Sequence, residues 1–181
     1  MSANAQVGRA EAGWTAPVEN QWYALYTIAH HEKRVAQQLE ERQLECFLPL
    51  YRSVRRWSDR RKEVQLPLFP GYLFVYTDLA ERSRILRVAS VVHFVCCNGQ
   101  PTPVPAVEIE NLRSALSGNA RVQPHPYLKA GRRVRVHSGP MAGLEGILTA
   151  RRGRLRVVLA IDLIMRSVAV EVGADEVEPI H

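Results

Sequence analysis

The chain changes its hydrophobic period once, and the change falls across SGNARVQPHPYLKAG, residues 117–131. Gly118, Asn119, Pro124 and Pro126, with little apolar content between them, read as a linker. Beyond it lie RRVRVHS, GILTARR, RLRVVLAI, RSVAVEV and DEVEPI, short β-prone runs separated by turn residues. Five short strands in about 50 residues predict a small closed barrel, near the lower size limit for independent folding.

Before the linker, strands and helices alternate. WYALYTI (22–28) is aromatic, β-prone and ends in a polar cluster, which predicts a strand. HHEKRVAQQLEERQ (30–43) carries Val35, Ala36 and Leu39 at helical spacing, with Leu44 beyond, and predicts a helix with one face on a sheet. ECFLPLYRSVRRW (45–57) is a second extended segment, where Pro49 argues for an edge or a bulge. SDRRKE is a polar turn, and VQLPLF is the return limb of the hairpin it closes. PGYLFVYTD supplies a third strand, ERSRILRVAS (81–90) a short helix, and VVHFVCC (91–97) a fourth strand closed by Asn98 and Gly99. PTPVP is a rigid connector, and AVEIENLRSAL (106–116) sets Ile109, Leu112 and Leu116 on one helical face. The expected fold class is α+β: a sandwich of a mostly antiparallel four-stranded sheet with helices, followed by the barrel. The expected organisation is a loose leader (1–20), the α/β domain (21–117), the linker (118–127) and the barrel (128–181).

Composition narrows the function classes. The 181 residues hold no run of 18 apolar residues and no apolar signal core at the start, so a cytoplasmic protein without membrane contact is expected. Cys46, Cys96 and Cys97 are too few and too awkwardly placed for a disulfide framework. His30 and His31 diverge by about 100° on a helix and do not make a metal site. There is no nucleophile elbow, phosphate loop or HExxH, and Glu40, Glu41 and Glu45 sit on or near a solvated helix face, so no enzyme, cofactor or metal is expected. The net charge of +6 is concentrated. Arg52, Arg55, Arg56, Arg60, Arg61 and Lys62 face a single acid, Asp59, beside Trp57, and a second group is Arg151, Arg152, Arg154 and Arg156. Such runs fit a nucleic-acid backbone.

Two motifs sharpen this. LPLFPGYLFVYT (66–77) partly matches an RNA-recognition-motif core: Gly71, Tyr72, Phe74 and Val75 fit, while Pro70, Leu73 and Thr77 do not. On a strand, Tyr72, Phe74 and Tyr76 share one face and Leu73 and Val75 the other, so the aliphatics can sit under helices and leave the aromatics to form a site. GRRVRVHSGPMAGLEGIL alternates Val134 and Val136, then turns through Gly139 and Pro140, with Gly143 and Gly146 following; it is similar to a KOW motif on an SH3-like barrel. With that hairpin in place, the N-terminal half resembles the NGN domain of the NusG family of transcription elongation factors. The residues that carry the likeness are Trp22-Tyr23, Glu32, Val35, Phe69-Pro70-Gly71-Tyr72, and Gly99 with Pro101 and Pro103. WYALYT, LPLFPGYLFV and VHFV are similar to the specialised RfaH-like paralogues, and HHEKRV to the UpxY-like ones. Where RfaH has a His-Thr-Thr stretch this chain has Arg82-Ser83-Arg84-Ile85.

The resemblance implies a transcription elongation and antitermination factor that suppresses pausing or termination, acting as a monomer. It implies that Trp22, Tyr26, Phe69, Pro70, Tyr72 and Phe74 bind the clamp helices of RNA polymerase, with Ser83 and Arg84 as gate-loop candidates. It implies that upstream or non-template DNA runs past Lys33, Arg34, Arg55, Arg56, Arg60 and Arg61. It implies that Leu163, Ile164, Met165 and Arg166 of the KOW barrel meet termination factor Rho or a small-subunit ribosomal protein. The competing reading is a ribosome-associated or RNA-binding KOW protein that does not bind polymerase.

Overall fold

In the computed structural model, residues 19–57, 60–117, 122–128, 131–151 and 154–180 are described. The expected leader lies outside them apart from the exposed residues 19 and 20. Strand β1 (Gln21–Thr27) leads to helix α1 (Glu32–Glu41), then β2 (Glu45–Phe47), β3 (Leu50–Trp57), β4 (Arg60–Pro67) and β5 (Tyr72–Thr77). A 3-10 turn (Leu79–Glu81) runs into α2 (Arg82–Leu86) and is capped by Asp78, whose carboxylate accepts from the Ala80 and Glu81 amides. Next come β6 (Val91–Phe94), β7 (Cys96–Cys97), β8 (Gln100–Pro101), β9 (Pro103–Val104) and α3 (Ala106–Ser117). The barrel is built from β10 (Val122–His125), β11 (Arg133–Val136), β12 (Glu145–Arg151), β13 (Arg154–Ile161), β14 (Arg166–Val172) and β15 (Val177–Pro179).

The first sheet has five strands rather than four, in the order β2-β5-β1-β6 with β9 also on β1, all antiparallel. The fifth comes from the PTPVP connector, which adds a two-residue strand against Trp22 and Tyr23. The extended segment 45–57 is split at Pro49, so β3 and β4 leave the sheet as a separate two-stranded ribbon. A proline cannot donate to a ladder, and the Pro49 carbonyl instead accepts from Leu68 N–H at the base of the ribbon. The fourth strand also breaks early: β6 ends at Phe94, and Cys96-Cys97 pair with Gln100-Pro101 in a small hairpin. Helix α1 is shorter than the expected segment 30–43, whose ends carry left-handed backbone at His30 (φ 66) and Gln43 (φ 60). His31 instead bonds Ser90 through Nδ1 at 2.7 Å.

Side chains of the first sheet divide by strand period. Tyr23, Leu25, Leu73, Val75 and Phe94 pack with Val35 and Leu39 of α1 and Ile85 of α2. Trp22, Ala24 and Phe74 point the other way and pack with Ile109 and Leu112 of α3. That second cluster continues into the barrel through Val134, Val157, Leu159, Ile164 and Val168, so α3 lies between the sheet and the barrel.

The barrel sheet runs β10-β14-β13-β12-β11-β15. The expected linker, 118–127, therefore contains a sixth strand: Val122–His125 pairs with Ser167–Val170. Pro124 is tolerated because this is an edge strand. The turn between β11 and β12 holds Gly139 and Gly143 at positive φ. Gly146 answers to a different constraint, since a Cβ there would lie 2.5 Å from the Val158 carbonyl oxygen on the neighbouring strand. No helix among the described residues is long and apolar enough to cross a membrane.

Candidate docking face and basic ribbon

The sheet face that α1 and α2 leave free is an aromatic ladder. Cross-strand pairing sets Trp22 opposite Tyr76, Ala24 opposite Phe74, Tyr26 opposite Tyr72 and Phe47 opposite Phe74. The rings meet in sequence: Trp22–Tyr76 at 5.2 Å, Phe47–Phe74 at 6.2 Å, Phe69–Phe74 edge-on at 6.3 Å, Tyr26–Tyr72 at 5.3 Å and Tyr26–His93 stacked at 5.3 Å. Such contacts add about 0.5–1.5 kcal/mol each beyond area burial and hold the rings in fixed poses.

The ladder is covered at one end and open at the other. Arg113 of α3 lays its guanidinium 4.7 Å from the Trp22 ring centre and 5.3 Å from that of Phe47, and pairs with Glu45 at 3.2 Å. A cation over an indole contributes about 0.5–2 kcal/mol. Trp22, Phe69 and Phe74 are buried in the cluster they share with α3 and the barrel. This corrects the expectation that the aromatics of this face are free: α3 and the barrel occupy its centre. Tyr72 is half-buried, and Arg166 of the barrel stands 6.0 Å from its ring centre. Tyr26 (38% exposed), Tyr76, His93 and Pro70 face solvent.

The turn that presents Phe69 and Tyr72 is locked from behind. Gly71 sits at φ 83, a conformation that costs a side-chain-bearing residue about 1–2 kcal/mol. A Cβ there would also come 3.1 Å from Cε2 of Tyr26. Its amide donates to Oε1 of Glu32 at 2.7 Å, and both residues are buried. Glu32 opens α1, so one carboxylate ties the helix start to the turn. The Gly71 carbonyl accepts from Thr27 N–H at 2.8 Å, which ties the same turn to the end of β1.

Lys33 and Arg34 are exposed on α1. On the ribbon, Arg55 is in register with Lys62, Arg56 with Arg61, and Trp57 with Arg60. The side chains of Arg55, Arg56, Arg60 and Arg61 lie outside the described residues; Arg52 and Lys62 are exposed, with Arg52 3.6 Å from Glu63. Ser83 is exposed, while Arg84 is tied to Glu81 at 3.0 Å and donates to the Arg42 carbonyl at the end of α1. In the barrel, Ile164 is buried and Leu163 packs partly into the shared cluster, whereas Met165, at φ 50, is 62% exposed. The loop therefore divides: two side chains face inward and one is presented. Arg113 and the Glu108–Asp162 contact described below were not evident as site features in the sequence, because both arise where α3 meets elements distant in the chain.

An α/β sandwich with an aromatic sheet face, followed by a small barrel turning on a Gly-Pro hairpin, defines a two-part chain built to present surfaces to macromolecules. Comparison with known proteins gives the class its family. Residues 20–113 match the family model described as transcription termination factor nusG. The chain is 27% identical over 187 residues to the transcription termination/antitermination protein NusG of Haemophilus influenzae, covering 92% of this chain and 98% of that one. It is 30% identical over 171 residues to the protein of the same name from Deinococcus radiodurans, covering 78% and 90%. A solved structure of Thermotoga maritima NusG covers 90% of this chain and 98% of its own, with 24% identity and a TM-score of 0.55, a likeness of fold. The chain belongs to the NusG family of transcription termination/antitermination factors, proteins that act with the transcription machinery.

Proposed function

We propose that this chain is a specialised antitermination paralogue that binds RNA polymerase through the aromatic face of its first sheet and suppresses pausing or termination. One observation carries the reading. The face holds a ladder of aromatic rings, the side-chain type that supplies most binding energy in protein interfaces, and its outer half is left open by the chain's own helices. Tyr26, Tyr72 and Pro70 are the accessible contacts; Trp22, Phe69 and Phe74 act from beneath by fixing their positions. Displacement of the barrel extends the accessible face toward Phe69 and Phe74. The polymerase clamp helices are the proposed partner, a pair of helices being a shape that a flat aromatic sheet can accept.

Lys33, Arg34 and the ribbon bases Arg55, Arg56, Arg60 and Arg61 are proposed to lie along upstream or non-template DNA. Phosphate contacts of this kind position a factor without reading sequence and weaken steeply with salt. Met165 is proposed as the outward contact of the barrel with Rho or a ribosomal protein, Arg166 joining it once the barrel leaves Tyr72, and Leu163 and Ile164 serving mainly as their anchor. Ser83 and Arg84 remain gate-loop candidates, with Arg84 held by Glu81.

The test is a binding measurement with purified core polymerase. Tyr26→Ala and Tyr72→Ala should each weaken binding about tenfold or more, as interface anchors do, while the chain stays folded with its melting temperature lowered by only a few degrees through the lost ring contacts. Binding equal to wild type in the folded double variant would refute the assignment. RNA binding that persists with no polymerase binding would favour the ribosome-associated reading.

A further inference from the structure

Helix α3 meets the barrel with an acid on each side of the contact. Glu108 lies in the first turn of α3, and Asp162 opens the 3-10 turn that follows β13. The Glu108 carboxyl faces the backbone N–H of Asp162 as well as its charge. Its Oε2 is buried and has no hydrogen-bond partner among the described residues. Asp162 also accepts from Tyr127, whose hydroxyl donates to Oδ1 at 3.0 Å. The two acids border a cleft of about 300 Å³ between α3 and the barrel, lined also by Val107, Asn111, Arg133 and Glu145.

The remaining charges around Glu108 do not cancel this arrangement. Arg133 of β11 and Glu145 of β12 are 3.9 Å apart and offset each other, and Glu145 is also bonded by Arg135. Tyr127 and Asn111 are uncharged donors. Two like charges thus approach across the contact, and the Asp162 N–H leaves one Glu108 oxygen, Oε2, buried without a hydrogen-bond partner among the described residues. An ionised carboxyl in that position is costly, and the cost disappears when the contact opens and water reaches it.

We propose that Glu108 and Asp162 form a proton-operated catch between α3 and the barrel: with Glu108 neutral the barrel rests on α3, and ionisation of Glu108 favours its release. Burial, and secondarily the Asp162 charge, push the Glu108 carboxyl up to about 7 from its ordinary 4.5. The docked state binds the proton more tightly, so docking gains from protonation below pH 7 and loses as pH rises through about 7. With Glu108 at its ordinary value when released, the docking constant falls about tenfold between pH 6 and pH 8. The catch stands on the α3–barrel contact alone; that release also uncovers a polymerase-binding face rests on the function proposed above.

The test uses the full chain and no partner. Carboxyl-carbon NMR would follow Glu108, while the amide shifts of Val107 and Asn111 report docking. Glu108 should titrate near neutrality, and the amide shifts should move with it toward a released state between pH 6 and 8. E108Q, which keeps the shape without the charge, should stay docked at both values. D162N should bring the Glu108 titration down and flatten the response. A Glu108 that titrates in the ordinary carboxylate range, a chain undocked at every pH, or an E108Q variant with the wild-type pH response would each overturn the catch. If E108Q loses its dispersed spectrum, the wild-type and D162N titrations decide between the same outcomes. Polymerase binding that fails while the titration behaves as described would overturn the functional reading and leave the catch standing.

Discussion

Glu32→Ala tests how the aromatic face is built. The wild-type carboxylate accepts the buried Gly71 amide at 2.7 Å and is itself 3% exposed. Its removal has two consequences. A charge-assisted hydrogen bond is lost, and the Gly71 N–H is left buried without an acceptor, together about 1.5–3 kcal/mol. At the first position of α1, alanine gains a few tenths of a kcal/mol in helix propensity, and the lost helix-dipole interaction of the acid roughly offsets it. The net loss is about 2 kcal/mol. For a chain of this size each kcal/mol moves the midpoint about 2–4 °C, so thermal unfolding followed by circular dichroism should shift down by about 4–8 °C. Glu32→Gln keeps an acceptor oxygen in place and should lose less than half as much. Hydrogen exchange at the Gly71 amide should accelerate in the alanine variant before exchange in α2 does. A Glu32→Ala midpoint within about 1 °C of wild type, or a glutamine variant as damaged as the alanine one, would refute the claim that this single carboxylate secures the turn.

Gly146→Ala places a methyl group 2.5 Å from a backbone oxygen and 2.6 Å from Cγ1 of Val157, so the barrel should lose about 1–3 kcal/mol, read as a lower urea midpoint. Hydrogen bonding from Arg156 above all, and from Arg154, holds the Glu171 carboxyl below its ordinary 4.5. The stability this contributes is present above the ordinary value and lost as pH falls through the lowered one, so acid titration of barrel stability should flatten in Glu171→Gln. Cys96 and Cys97 are exposed, whereas burial, then Glu40 and Glu45, push the Cys46 thiol up to about 11. A thiol-reactive probe at pH 8 should therefore label two cysteines quickly and the third only slowly.

What was legible in the sequence was what depends on local period. Tyr72, Phe74 and Tyr76 share a face and Leu73 and Val75 the opposite one because strands alternate, and no tertiary information is needed to say so. The burial of Phe74 was not legible, since it depends on α3 and the barrel arriving from more than thirty residues away. Val122–His125 read as linker because Pro124 suppresses a strand assignment, yet an edge strand needs only some of its amides. The apolar face of α3 said nothing of Arg113, and only the fold brings Trp22 and Phe47 beneath its guanidinium. The left-handed backbone at His30 and Gln43 trims the expected helix 30–43 to 32–41, a limit that its apolar positions, lying well inside, do not mark. Each miss has the same origin: a residue's neighbours along the chain were known and its neighbours across space were not.

The shared apolar cluster bears on how strongly the proposed face binds. Trp22, Phe69 and Phe74 belong to one continuous core with Leu159, Ile164 and Val168 of the barrel, so any partner that needs the centre of the ladder competes with the chain's own C-terminal part. Competition of this kind multiplies intrinsic affinity by the fraction of chains in the released state. A barrel docked in ninety-nine chains of a hundred would weaken apparent binding about a hundredfold without altering a single contact residue. Substitutions on the barrel side of the contact should therefore strengthen partner binding, the opposite of what loss of a contact does. Arg166→Ala separates the two: on the proposed reading it removes the guanidinium over Tyr72, favours release, and should raise affinity for polymerase. If instead Arg166 contacts polymerase directly, the same variant should lower it. Measured beside Tyr72→Ala, which should weaken binding on either view, the sign of the Arg166 effect identifies whether the barrel is a lid on the aromatic face or part of the surface that the polymerase sees.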